Sequence, residues 1–139
     1  IAQHGITGTS LEKITSFINY GIRKGNVGTL WQNVSFGFAM NQNGNAITTP
    51  DKGYVKRPYR GIPDALWQEM WAWAVETGNI GGNIKNANKV FAAKLHAIAP
   101  EYKERITAHA YEEAVRLFEA THSIGLADAV WEELEAMAS

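Results

Sequence analysis

The chain has 139 residues, of which 45% are hydrophobic, 11% aromatic and 19% charged. This length and apolar content predict one domain with a packed core, which excludes two independent domains and a disordered chain. Thirteen basic and fourteen acidic residues give a net charge of −1. That balance argues against general electrostatic binding to nucleic acid or to an anionic membrane.

No cysteine is present, which excludes disulfides, thiolate catalysis and metal sites with cysteine ligands. No apolar run reaches the roughly eighteen residues that a membrane span requires, and no cationic segment precedes a hydrophobic stretch at the start. We therefore expect a cytoplasmic protein with no membrane partner. Residues 1–5 lack an initial Met and have the pattern of the middle of a strand, so we expect a piece of a longer protein.

The first forty residues alternate two short strands with two helices. After the first strand, a capping box over residues 9–12 predicts a helix with Thr9 as its N-cap. Apolar residues then recur at helical spacing: Leu11, Ile14, Phe17 and Ile18. Residues 22–27 indicate a second strand, and Thr29 is the predicted N-cap of an aromatic-rich helix over residues 30–39.

The remaining chain is predicted to be a loop followed by a helical extension over residues 63–139. Proline and glycine punctuate the polar stretch 41–62, which is typical of a loop. Hydrophobic periodicity then predicts helices over residues 65–75, 84–98, from Pro100 onward and 126–137.

Two features of this second part suggest partners. Trp67, Trp71 and Trp73 indicate a helix in the core or at a subunit contact, and we therefore expect a homo-oligomer. The loop has basic residues interleaved with tyrosines, as in a small nucleic-acid patch: Lys52, Lys56, Arg57 and Arg60. Acidic neighbours favour a solvated loop instead, and we expect no nucleic-acid partner.

Each predicted strand ends in a glycine-containing turn at the start of a helix. The first turn covers residues 4–10 and begins with His4, and the second covers residues 24–29 and contains Asn26. Parallel strands bring such turns to one edge, where backbone amides beside a helix N-terminus can face an anion. We therefore expect His4 and Asn26 to converge on one pocket.

Together the two turns and the segment 20–26 resemble the C-terminal part of the class II, metal-dependent fructose-bisphosphate aldolases. That family shows a His-Gly-x-Ser/Thr-Gly turn followed by a Tyr-Gly-Val-x-Lys-x-Asn-x-Asp-Thr segment. The twenty-two positions from His4 to Asn26 match the interval expected for it. The resemblance is good over residues 1–31 and weaker in the helices beyond.

The resemblance implies an α/β fold, namely strands seven and eight of a (βα)₈ TIM barrel with additional C-terminal helices. It also implies an aldolase acting on a ketose phosphate such as fructose 1,6-bisphosphate, through a metal-stabilised enediolate of dihydroxyacetone phosphate. The cofactor would be a divalent metal, zinc in the family's manner, and the chain supplies one ligand of the three or so required. The chain alone is therefore expected to be inactive.

Residue by residue, His4 is similar to a metal-ligating histidine of the family. Four residues are similar to its contacts with the substrate phosphate: Gly5, Thr7, Asn26 and Thr29. Two positions depart from the family pattern, because an aspartate of the second turn is Gly28 here and a phosphate-binding arginine aligns with Ala65. Arg57 or Arg60 could replace that arginine.

Two other classes of function stay open. The first is a non-enzymatic, helix-rich interaction module in which both glycine turns are plain connections. The second is a sugar-phosphate-binding barrel without a metal. His109 with Glu112 and Glu113 has the spacing of a helical metal pair, but an acidic helix produces such pairs by chance.

Overall fold

The computed structural model describes residues 1–51 and 53–138 as a helix-rich chain. Lys52 of the predicted loop and Ser139 at the end of the predicted extension lie outside the described residues. None of the helices in these ranges is long and apolar enough to cross a bilayer. The helices are α1 (Leu11–Ser16), α2 (Thr29–Phe36), α3 (Asp64–Glu76), α4 (Ala87–Val90), α5 (Ala92–His96), α6 (Pro100–Ala120) and α7 (Ala127–Ala138).

The described residues contain one sheet, in which β1 (Ala2–Gln3) and β2 (Lys24–Gly25) run parallel. The crossover between them consists of α1 and a 3₁₀ turn, Phe17–Tyr20. Gly21 ends that turn in the left-handed conformation, at a φ of 69°, which glycine adopts without steric cost.

The prediction of strands seven and eight of a TIM barrel is wrong. The predicted strands over residues 1–5 and 22–27 each keep only two residues in the ladder. Within the described chain the flanking residues find no further strand to pair with, so the ladder stops. A barrel wall requires eight long, closed strands, and this chain instead places helices around one short parallel pair.

Helices α2, α3, α6 and α7 confirm four predicted helices, with ends shifted by one to three residues. The single helix predicted over residues 84–98 is wrong, because the segment divides into a 3₁₀ turn, Gly81–Asn86, followed by α4 and α5. The break falls at Phe91, whose ψ of 14° is not helical. Its ring packs edge-on against Trp73 at 6.3 Å.

The predicted loop over residues 41–62 contains extended backbone. Isolated antiparallel bridges join Phe38 to Lys56, Met40 to Ala46 and Thr48 to Tyr54. Gly37 and Gly61 lie where the two ends of this region meet, at φ values of 77° and 69°. A Cβ atom on either glycine would collide with the backbone of the opposite segment, so only glycine fits both positions.

The hydrophobic core lies between α3, the end of α2 and the extended region. Its buried residues are Phe36, Phe38, Ile62, Leu66, Trp67, Met70, Ala74, Ile84 and Ala87. The Trp67 ring lies 4.8 Å from the Phe38 ring, and Trp71 and Trp73 pack against the same core. These tryptophans are therefore used within the chain, and α3 gives no support to the predicted homo-oligomer.

Lys56 is a structural residue and not part of a solvated loop. Its ammonium donates to the carbonyl oxygens of Arg60 at 2.9 Å and Ile62 at 2.7 Å. It also pairs with the Asp64 carboxylate at 2.7 Å, and the side chain is 12% exposed. All three N–H protons are satisfied, so Lys56 ties the turn before α3 to the start of that helix.

Candidate functional site

The parallel pairing of β1 and β2 brings His4 and Asn26 together just beyond the strand ends. The Asn26 backbone N–H donates to the Gln3 carbonyl at 2.9 Å, which continues the ladder by one bond. The Asn26 side-chain nitrogen then lies 3.0 Å from Nδ1 and 3.4 Å from Nε2 of His4. As expected from their positions after adjacent parallel strands, the imidazole and the amide meet.

The direction of this contact decides what His4 can bind. An amide NH₂ group only donates, so the His4 ring nitrogen that pairs with it accepts, and the tautomer decides which of the two nitrogens that is. A metal ligand needs a free lone pair on one ring nitrogen, Nε2 or Nδ1. His4 would gain it if the Asn26 amide turned so that its oxygen accepted from Nδ1–H, which is the usual second contact of a metal-bound histidine.

Thr7 joins the first turn to the second. Its hydroxyl oxygen accepts from the Leu30 backbone N–H at 3.0 Å. The N-cap of α2 is Gly28, so the prediction of Thr29 as N-cap is wrong by one residue. The predicted Thr9 cap of α1 is also wrong by one, because Ser10 accepts from Lys13 N–H at 3.4 Å. The Thr7 hydroxyl therefore replaces the cap that Gly28 lacks and keeps its own proton to donate.

The N-terminus of α2 presents unused hydrogen-bond donors. Within the described residues, no carbonyl or side chain accepts from the backbone N–H groups of Val27, Gly28 and Thr29. A Cβ atom built on Gly28 meets nothing within 4 Å, and Thr29 is exposed. Free amides at the positive end of a helix, with open space before them, suit an anion such as a phosphate.

Gly5 lies beside this position in the first turn, at a φ of 70° and with open space around it. It is exposed, like His4, whose carbonyl accepts from the Gln3 side-chain amide at 2.8 Å. The structure thus places the predicted site residues at one edge, beyond the ends of the two strands: His4, Gly5, Thr7, Asn26 and Thr29 at the start of α2.

The two arginines considered as replacements lie elsewhere. The Arg60 guanidinium is 3.3 Å from the Glu112 carboxylate of α6. Arg57 is exposed, and its backbone N–H bonds the Gly37 carbonyl at 2.8 Å. Neither residue lines the cavity beside Asn26. The ion pair between Arg60 and Glu112 links this turn to α6, so neither arginine is positioned as a contact for a phosphate at α2.

The described residues do not form a complete metal site. A catalytic zinc site uses about three protein ligands and one open position. No group of three or more His, Asp or Glu side chains in the described ranges is arranged to hold a metal ion. His4 is therefore at most one ligand, and no chemical step through a metal can be derived from this part of the chain.

Asn26 also borders a large groove with a volume of about 860 Å³. We call it the apolar groove. Its wall is formed mainly by Ile14, Ile18, Ile22, Trp31, Leu117 and Phe118. Arg23 and Lys24 contribute the charged part of its rim. The sequence pattern did not reveal it, because its residues come from four separate segments that only the fold assembles.

A cluster of titratable side chains on α6 around the buried His109 was also missed. The His109 side chain is 6% exposed, with Nε2 3.9 Å from Glu113, and the Arg116 guanidinium lies 2.9 Å from the same carboxylate. Burial, and next the charge of Arg60, lower the pKa of His109 from 6.5. The signal was the three- and four-residue spacing of these side chains, which the sequence interpretation attributed to chance.

Comparisons with models of known protein families, with curated proteins and with solved structures found no match. The resemblance to aldolases therefore rests on the two turns and their spacing.

Proposed function

We propose that the edge formed by the ends of β1 and β2 binds a phosphorylated ketose, such as fructose 1,6-bisphosphate, in a reaction of the metal-dependent aldolase type. The observation that carries the proposal is the 3.0 Å contact between His4 and Asn26 across adjacent parallel strands. The same two residues carry the sequence resemblance. The proposal concerns the site and not a barrel, because function depends on the site's chemistry more than on the surrounding fold.

In this proposal the phosphate lies at the N-terminus of α2. The free N–H groups of Gly28 and Thr29 donate to it, and the hydroxyls of Thr7 and Thr29 add two neutral donors. Gly5 keeps the opposite side of the turn open. Hydrogen bonds to a charged group contribute about 1.5–3 kcal/mol each, and the helix dipole adds about 0.3–1 kcal/mol.

His4 and Asn26 lie where the sugar would continue from the phosphate. In the aldolase family a divalent metal, zinc in many cases, supplies the Lewis acid for carbon–carbon cleavage. This chain offers His4 to such a metal, and the other ligands would have to come from a further part of the protein or from another chain. Asn26 fixes the position of the imidazole through its contact with the ring nitrogens.

The test measures metal content and aldol cleavage of fructose 1,6-bisphosphate by the full-length protein, with His4→Ala as the variant and His96→Ala as the matched control. We expect His4→Ala to lose metal and at least about a hundred-fold in rate, because second-shell changes alone cost ten- to a hundred-fold. His96 is exposed and lies on α5, so its variant should match the wild type. Unchanged metal and rate in His4→Ala would contradict the metal role.

A second candidate function is sugar-phosphate binding without a metal. The observation that favours it is the Asn26 amide nitrogen, which takes up a His4 ring lone pair that a metal would need. In that case the wild-type protein would bind fructose 1,6-bisphosphate, hold no metal and cleave nothing.

The interaction-module alternative is favoured by the exposed apolar residues of α7. It would give neither binding nor cleavage of the sugar.

A further inference from the structure

Helix α7 has an apolar face that the described chain leaves uncovered. No residue of α7 is buried, and Trp131 and Met137 are 65% and 78% exposed. Helical periodicity places its large apolar residues on one side: Leu126 just before the helix, then Val130, Trp131, Leu134 and Met137. An isolated helix of twelve residues is only marginally stable in water. This face therefore needs a partner surface.

The apolar groove has the matching chemistry. Its wall is hydrophobic, its charged lining residues are Arg23 and Lys24, and no acidic side chain lines it in the described chain. Helix α7 carries only negative charge, on Asp128, Glu132, Glu133 and Glu135. At about 3.6 residues per turn, Glu133 lies on one side of the apolar face and Glu135 on the other. A basic-rimmed apolar groove and an acidic-flanked apolar helix are complementary in both burial and charge.

The turn before α7 holds that helix away from the groove of its own chain. The Thr121 hydroxyl donates to the Leu117 carbonyl at 3.0 Å, and the Ser123 backbone N–H donates to the Phe118 carbonyl at 2.9 Å. His122 and Gly125 adopt positive φ values of 53° and 78°. Phe118, Thr121 and Ser123 line the groove, but no described residue of α7 does. The helix thus starts at the groove's rim and projects outward.

We propose that α7 of one copy of this chain docks into the apolar groove of a second copy, and that the exchange is reciprocal. Trp131 is the central anchor, and the carboxylates of α7 lie against Arg23 and Lys24 of the partner. Reciprocal exchange of one surface patch closes a dimer with two-fold symmetry and leaves no free apolar helix. The proposal does not require sugar binding, although the groove shares Asn26 and Gly28 with the proposed sugar-phosphate site.

The test is the mass of the full-length protein in solution, measured by sedimentation equilibrium over a concentration series. We expect a dimer for the wild type. Loss of an aromatic hot spot usually weakens binding about thirty-fold. Because the dimer contains two such sites, Trp131→Glu should raise the dimer dissociation constant about a thousand-fold. Trp131 is exposed, so the folded monomer should keep its circular dichroism spectrum.

Charge exchange tests the pairing of the two surfaces. The double variant Arg23→Glu with Lys24→Glu should dissociate the dimer, and adding Glu133→Lys with Glu135→Lys should restore it. A control, Lys85→Glu with Lys89→Glu, makes the same charge change outside the groove and should remain dimeric. A monomeric wild type, a dimer that survives Trp131→Glu, or a failed restoration would each overturn the proposal.

Discussion

Replacing Gly28 by Asp separates the two roles of the α2 N-terminus. Gly28 has a φ of −117°, which any residue can adopt, and a Cβ atom there meets nothing within 4 Å. Because Thr7 already accepts from Leu30 N–H, a carboxylate at this N-cap acts mainly on the positive end of the helix dipole. We therefore expect Gly28→Asp to raise the free energy of unfolding by about 0.5–1 kcal/mol, measured by urea denaturation at neutral pH.

The same carboxylate should weaken phosphate binding. In exposed, water-like surroundings, repulsion between the Asp carboxylate and one phosphate charge about 5 Å away costs about 0.8 kcal/mol. A dianionic phosphate therefore loses about 1.7 kcal/mol of binding free energy. That loss corresponds to an affinity about fifteen-fold weaker for fructose 1,6-bisphosphate in a calorimetric titration. Gly28→Asn, a neutral cap of nearly the same size, should keep the affinity within about two-fold. Equal or tighter binding by Gly28→Asp would refute the placement of the phosphate at this helix.

Three further changes test the structural account. Lys56→Met should lower the free energy of unfolding by about 2–3 kcal/mol, because two carbonyl partners lose a charged donor, while the exposed control Lys89→Met should change it by under about 0.5 kcal/mol. Thr7→Val should lower the free energy of unfolding by about 1 kcal/mol, since it removes the acceptor of the Leu30 N–H. Folding lowers the pKa of His109, so below about pH 6.5 the unfolded chain binds more protons than the folded chain. The wild type therefore loses stability as the pH falls from 6.5 toward the pKa of the folded state. His109→Gln should show a smaller loss between pH 7.5 and 5 in urea denaturation at each pH; an identical slope would contradict the burial of a neutral imidazole.

The contact between His4 and Asn26 could be predicted because it depends on a local rule. Residues that follow adjacent parallel strands share one edge, and the helix between the strands was visible in the spacing of apolar residues from Leu11 to Ile18. The long helix from Pro100 was similarly clear, because proline suits the first helical turn. Such features need only a few neighbouring residues to specify them.

The extent of the sheet could not be predicted from these strands. A two-residue ladder and a barrel strand have the same local pattern, and the number of neighbouring strands decides between them. The role of Lys56 was equally hidden, since its carbonyl partners have no side-chain signature. The tryptophans of α3 were recognised as needing cover, but a pattern does not tell whether the chain itself or a second copy provides it. The structure places Trp67 in the chain's own core.

The central claim, that His4 and Asn26 border a site for a phosphorylated ketose, is tested most directly by titrating fructose 1,6-bisphosphate into the full-length protein. The variant is Asn26→Ala, with Asn88→Ala as the control because Asn88 is exposed on α4. The account predicts binding by the wild type and the control, and an affinity about ten-fold or more weaker in Asn26→Ala, because the variant loses a hydrogen-bonding amide where the sugar would lie and the contact that holds His4 there. Equal affinity in all three proteins, or no binding by the wild type, would contradict it.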